Sequence, residues 1–404
     1  MSRWRSLGAC LSVALASVPP LGVHSLLGRT VPPSPHRGVD VRQLAGGGYA
    51  AYVLGTDGAV WAWGDDLEGQ LGNGTSGSAA PVPLRVRRLP RAVAVAASAN
   101  SAYALQQNGT VWAWGDNSTG ELGPGRAALF NGHPGVVRTL HSVVAIAAGD
   151  FSAYALRRDG TLWAWGNNAF GEIAQPLRME SSDVPLRVRH LSDVVSVSAG
   201  ASSAYALRRD GSVWGWGSNA LGQLARPSRL VARAVPLRIV PLAQVVAITA
   251  SASSGFALRR NGTVWAWGDG SYGQLGTGNC LQSGANECAE SADPRRVRGL
   301  RNVVAIAAGA NSAYALEANG TEWAWGDGRY GQLGDASTAS SDVPVRVRGI
   351  ADVVAIAAGG TAAYALGASG RVWAWGDNAY GQLGNAAAGN SVLPVTVRMP
   401  REEQ

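Results

Sequence analysis

Between residues 41 and 398, apolar and polar positions follow one pattern over and over. Each period opens on a run of Val, Ala and Ile that ends in small residues and Gly, such as Val303-Val-Ala-Ile306. A second apolar segment, Ser312-Ala-Tyr-Ala-Leu316, is joined by Asn319-Gly320 to a third, Thr321-Glu-Trp-Ala-Trp325. A longer Gly-rich stretch then leads to a segment of Pro-x-Arg-Val type, Pro344-Val-Arg-Val347. Short apolar runs rich in β-branched and aromatic residues, punctuated by Asn-Gly and Gly clusters, read as strands.

The third segment fixes the period. Trp-x-Trp-Gly begins at Trp61, Trp112, Trp163, Trp214, Trp265, Trp323 and Trp373, at spacings of 51, 51, 51, 51, 58 and 50 residues. An aromatic stands nine residues before each: Tyr52, Tyr103, Tyr154, Tyr205, Phe256, Tyr314 and Tyr364. Four short strands per unit, repeated seven times at about fifty residues, predict an all-β fold, a seven-bladed β-propeller of four-stranded antiparallel blades. Asn-Gly and Asp-Gly between the second and third strands predict type I′ hairpins. Alternation along a strand puts both Trp of each unit on one face, which predicts that both fill the gap between neighbouring blades as core. The segment before Val41 is Pro-rich and offers no good strand. The expected closure therefore pairs the two chain ends, with Pro394-Val-Thr-Val397 completing the blade begun at Val41.

Val-Val-Ala-Ile-Ala-Ala-Gly, Asn-Gly-Thr, Trp-Ala-Trp-Gly-Asp and Tyr-Gly-Gln-Leu-Gly together resemble the repeat of the regulator of chromosome condensation family, and of its secreted bacterial members in particular. The resemblance covers residues 41–398. It implies the propeller fold and two kinds of activity: nucleotide exchange on a small GTPase with chromatin binding, or capture of a protein such as a β-lactamase by a secreted member. The chain departs from the family pattern in the turn after the first strand. Where the family often has His, it carries Ser101, Ser152, Ser203, Ser254 and Ser312, with Ala50 and Ala362. It also lacks the Gly-Trp-Arg-His-Thr motif of the light-sensing relative.

Composition narrows the field. The 404 residues hold 54 Gly and 15 Trp but only 15% charged residues, three Cys and five His. That is too apolar for a disordered chain and too poor in Cys for a disulfide scaffold. All 34 basic residues are Arg, and the formal net charge is +7. Basic Arg3 and Arg5, an apolar run from Leu7 to Val18 and the small-residue site Ala14-Leu-Ala16 form the pattern of a secretory signal peptide. The domain reading is therefore a signal peptide over 1–16, a linker over 17–38 containing Pro19, Pro20, Pro32, Pro33 and Pro35, and the propeller over 39–400. Cleavage would also remove Cys10. The remaining pair, Cys280 and Cys288, lies in the one lengthened unit and suggests a disulfide formed in an oxidising compartment. The expected location is secreted, periplasmic or the cell envelope.

Enzyme chemistry is not expected. No phosphate loop, His-Glu-x-x-His or Gly-x-Ser-x-Gly occurs, and the His residues have no metal-ligand spacing. The acids Asp65, Asp116, Asp269, Asp327 and Asp377 recur after Trp-Gly, which turn geometry explains without a metal. No cofactor and no metal are therefore expected. Arg85/Arg87, Arg187/Arg189, Arg296/Arg298 and Arg346/Arg348 sit on the outermost strand, where charge discourages edge-to-edge association; nucleic acid is not an expected partner. The turns after the first strand vary between units, and variable loops on a rigid scaffold are where binding resides. Tyr49, Asn100, Asp150, Phe151 and Asn311 are the candidate binding residues. The leading expectation is a non-enzymatic, monomeric, exported propeller that binds a protein through this face, without membrane insertion after signal removal. The alternatives are a guanine-nucleotide exchange factor and a carbohydrate-binding propeller.

Overall fold

The computed structural model describes residues 12–13, 39–123, 129–227, 230–278 and 290–400. Apart from Ser12–Val13, residues 1–38 lie outside them, as do Cys280 and Cys288, so the leader, the linker and the disulfide stand as expectations. Seven sheets each carry four consecutive antiparallel strands, arranged as a ring. The first blade is Val41–Gly46, Ala50–Gly55, Val60–Gly64 and Ala80–Arg85; the last is Val353–Ala358, Ala362–Gly367, Val372–Gly376 and Ser391–Thr396. Ser12–Val13 adds an antiparallel bridge to the innermost strand of the third blade, Ser12 facing Ala148 and Val13 facing Ala147.

The expected closure is corrected by this register. Ser391–Thr396 pairs with Val372–Gly376 of its own blade, Trp373 opposite Thr396, while the first blade ends on its own Ala80–Arg85. The long connection between third and fourth strands is not a blade boundary. It runs over the neighbouring blade's outer strand, so that a Cβ at Gly69 would strike Gly132. Among the described residues no strand pairs across the closing seam, which is held by packing and by hydrogen bonds. Gly360 N–H donates to the carbonyls of Gly47 and Gly48 at 3.2 and 3.1 Å, and a side chain at Gly46 would collide with the Ala358 carbonyl.

The hairpins are also not type I′. Each turn is closed by the Gly N–H on the residue three before it, as in Gly109 to Gln106 at 2.9 Å. Only the Gly adopts positive φ, +82° at Gly109, as in a type I turn followed by a Gly bulge. Asn108 keeps negative φ because its Oδ1 accepts from Thr110 N–H at 3.0 Å, an Asx turn that satisfies the loop locally.

The core lies between blades. The second Trp of each unit is fully buried and meets the aromatic of the preceding blade edge-on, at ring centroid distances of 5.5–6.4 Å. The first Trp is only half-buried, so the expectation that both are core holds fully for the second alone. Lying at the hairpin end of the third strand, the first Trp is covered on one side by other side chains, among them Arg157 over Trp163.

Candidate functional site

The loop leaving each third strand builds one face of the disc. In the first blade it reads Gly64-Asp-Asp-Leu-Glu-Gly-Gln-Leu71. Asp65 N–H donates to the Tyr49 carbonyl at 3.0 Å, tying this loop to the turn after the first strand. The Asp65 carboxylate accepts from Leu67 N–H, and the Asp66 carboxylate accepts from Leu71 N–H at 2.9 Å. The Gln70 side chain accepts from Glu68 N–H and donates back to Asp65. The recurrent acids are thus turn-forming acceptors, which accounts for their position without a metal.

With the acids and the Gln or Glu turned into the loop, the two side chains before the Gly are left partly or fully exposed, and the second of them carries the larger groups in the later blades. In successive blades it is Glu68, Thr119, Phe170, Leu221, Tyr272, Tyr330 and Tyr380. Phe170, Leu221 and Tyr330 are 42%, 38% and 41% exposed. Tyr380 packs on Tyr49 of the first blade, ring centroids 5.1 Å apart and tilted by 48°. Arg329 forms a fork on Asp327, with Nε to Oδ1 at 3.0 Å and Nη2 to Oδ2 at 2.9 Å. The same guanidinium lies 4.7 Å from the centre of the Tyr272 ring. An apolar and aromatic arc therefore runs from the third blade to the seventh and ends on Tyr49.

In the first two blades the arc position is polar, Glu68 and Thr119, over buried acids. Burial raises the Asp65 carboxyl and pushes Asp66 up to about 6. Glu68 is raised by burial first and then by the charges of Asp116 and Asp65; Glu121 is raised by burial and by Asp116. Beside this sector an open groove of about 960 Å³ separates Asn117–Gly120 from the outer strand of the third blade, with Met179, Asp183 and Leu186 among its lining residues.

The five residues singled out from sequence all lie in turns after a first strand, on this face. The carbonyls of Tyr49, Asn100, Phe151 and Asn311 each accept from the residue following Trp-Gly, at 2.8–3.0 Å. Their side chains are half-buried, whereas Asp150 is buried. Sequence reasoning missed the arc itself. Its signal was available: the residue before the constant Gly of this loop is polar in the first two blades and apolar or aromatic in the other five.

Loop, ring and seven-fold blade architecture define a propeller built from regulator-of-chromosome-condensation-type repeats. A profile of the RCC1-like domain matches residues 21–279 and 179–404, and the chain belongs to that family. The human E3 ubiquitin-protein ligase HERC2 is 31% identical over 308 residues, 72% of this chain but 6% of HERC2. The mouse regulator of chromosome condensation is 29% identical over 304 residues, 68% of this chain and 69% of the relative. Among solved structures, Saccharomyces cerevisiae Prp20p superposes with a TM-score of 0.75 at 22% identity, covering 85% of this chain and 87% of Prp20p. The chain thus spans a small part of HERC2, whose ligase activity is that of a much longer protein.

Proposed function

We propose that this chain is a non-enzymatic, protein-binding propeller whose partner docks on the loop face. The observation that carries the reading is the arc of Phe170, Leu221, Tyr272, Tyr330 and Tyr380. Apolar and aromatic side chains grouped on a rigid surface mark interaction sites, and Tyr in particular is enriched among residues that dominate binding energy. Tyr49 and Phe151 extend the same surface inward, and Asn100 and Asn311 supply polar groups at its inner edge. Prp20p is described as binding Gsp1p and histones, which supports protein recognition as a use of this fold. Export to the envelope or medium is part of the reading and is supported by the N-terminal charge and apolar pattern, and oxidation of Cys280 with Cys288 follows from it.

The test uses the exported, full chain as bait against envelope and medium proteins of its own cells. A parallel bait carries Phe170→Ala, Tyr330→Ala and Tyr380→Ala. Saturable retention of one protein by the native bait, lost in the triple variant, is the expected result. Equal retention by both baits, or no retention, sinks the loop face as the site. Acceleration of nucleotide release from a small GTPase by the purified chain would replace this reading with the exchange-factor one. N-terminal sequencing of the native protein checks export: a chain still beginning at Met1 contradicts it.

A further inference from the structure

The opposite face carries a different chemistry. Its hairpins read Leu-Arg-Arg-Asp-Gly, Leu-Arg-Arg-Asp-Gly and Leu-Arg-Arg-Asn-Gly in the third, fourth and fifth blades, which places Arg157/Arg158, Arg208/Arg209 and Arg259/Arg260 at one repeat position on three adjacent blades. The other four blades hold Gly55-Thr56, Gln106-Gln107, Glu317-Ala318 and Gly367-Ala368 there. The basic residues are therefore an arc over part of the disc and not a uniform ring.

The first Arg of each pair is fixed in place. Arg157, Arg208 and Arg259 lie over Trp163, Trp214 and Trp265, 4.1, 5.8 and 5.7 Å from the ring centres. Each also donates one edge to a main-chain carbonyl of the strand-to-blade connector: Arg157 to Thr139, Arg208 to Ser192 and Arg259 to Ala243. A guanidinium seated on an indole and clamped along one edge has lost most of its rotamer freedom, and its planar donor fork suits a carboxylate. The second Arg of each pair is exposed. Across the strand from the same three Trp stand Arg187, Arg238 and Arg296.

Local acids offset this arc only in part: the Asp159 and Asp210 carboxyls are held low first by their turn hydrogen bonds and then by the arginines around them, yet among the described residues neither forms a salt bridge. Asp159 accepts from the N–H and hydroxyl of Thr161 at 2.9 and 2.7 Å, and Asp210 from those of Ser212 at 2.9 and 2.6 Å. In each, both bonds fall on Oδ1, which is engaged within its own turn. Among the described residues, the one salt bridge to an Arg of the three pairs joins Arg208 to Asp193 at 3.5 Å.

We infer that this hairpin arc is a second docking surface, which takes an acidic polypeptide segment across the third, fourth and fifth blades. The chemistry favours separate carboxylates over a nucleic acid. The Trp faces that could stack bases are already covered by guanidinium groups. Asp159 and Asp210 also interrupt the arc in the third and fourth blades, where an unbroken phosphate chain must pass an acid while a polypeptide can set its carboxylates to either side. The surface is independent of the loop face, and either can fail without the other.

The experiment measures fluorescence anisotropy of a labelled oligoglutamate peptide with the full chain, at low and moderate salt. Saturable binding that weakens as salt is added is expected, since surface charge is screened beyond about 10 Å at 0.1 M. The triple substitution Arg158→Glu, Arg209→Glu, Arg260→Glu should weaken binding by about tenfold or more. A control with the same change of net charge, Arg85→Glu, Arg346→Glu, Arg348→Glu, should retain most of it. No binding at low salt overturns the inference. So does equal loss in both triple variants, which reduces the effect to net charge, and so does tighter binding of labelled oligothymidylate than of the peptide.

Discussion

The indole Nε1 of Trp63 donates to the main-chain carbonyl of Gln382 at 2.9 Å, across 319 residues of sequence. The same carbonyl accepts the Tyr364 hydroxyl at 3.1 Å. This two-donor arrangement recurs at six of the seven seams: Gln70 O takes Tyr52 and Trp114, Glu121 O takes Tyr103 and Trp165, Glu172 O takes Tyr154 and Trp216, and Gln223 and Gln332 do the same. The seam that closes the ring therefore uses the same bonds as the seams inside it.

If the closing seam is equivalent, Trp63→Ala and Trp216→Ala should cost alike, about 3–5 kcal/mol each for loss of a large buried aromatic. Trp63→Phe should cost less, with about 0.5–1.5 kcal/mol of it from the lost hydrogen bond. Denaturant unfolding followed by Trp fluorescence reads all three. A Trp63→Ala protein as stable as the native chain would mean that the ring stands open at that seam.

The fifth blade is the exception that tests the arrangement. It carries Phe256, so Gln274 O receives only Trp325 Nε1, at 2.8 Å. Ser254 Oγ donates to the Asp269 carbonyl, where Ser152 and Ser312 meet a Tyr hydroxyl at 3.0 Å. Phe256→Tyr supplies the missing donor at a position already shaped for Tyr elsewhere. It should stabilise the chain by about 0.5–1.5 kcal/mol, seen as a raised denaturation midpoint with unchanged m-value. A lower midpoint would show that the Ser254 rearrangement has closed the space.

Tyr49 and Tyr380 contribute to the same closing seam on the loop face. A double-mutant cycle with Tyr49→Ala and Tyr380→Ala should return a coupling of about 0.5–1.5 kcal/mol, the range for aromatic pairs. Zero coupling in the unliganded protein would leave both rings free to serve binding alone.

The period, the four strands and the inter-blade aromatics were legible because one physical requirement, a large buried pair per seam, repeats in every unit. Closure was not. The stretch from Asp65 to Gly77 looks like a spacer between blades, yet Asp66 O accepts from Gly69 and Gly77 N–H and folds it back. The hairpin geometry was misjudged because Asn-Gly serves two turn types, and even Ser369-Gly370 adopts the one found here, with Gly370 N–H donating to the Gly367 carbonyl. Tyr272, Tyr330 and Tyr380 read as part of a conservative motif until the structure showed which face they occupy. The hairpin arginines carry no periodicity across the whole ring, so only their placement on adjacent blades makes them a surface.

Glu322 was equally hidden, written into Thr321-Glu-Trp as an ordinary strand residue. It is 2% exposed, and both carboxyl oxygens lack a hydrogen-bond partner. The equivalent residues of the other blades are Val60, Val111, Leu162, Val213, Val264 and Val372. Burial raises its carboxyl well above the ordinary 4.5, so the folded chain holds a proton that the unfolded chain releases. Stability therefore falls as pH rises from 4.5 toward the folded value, and Glu322 adds no pH dependence below or above that window. Glu322→Val should stabilise the chain at pH 8 by about 1–3 kcal/mol, the usual cost of an unsatisfied buried polar group. It should also remove that part of the decline in stability between pH 5 and pH 8. Thermal unfolding of both proteins across this range gives the comparison. Parallel curves would show that Glu322 finds a partner in solution and does not tune the sixth blade.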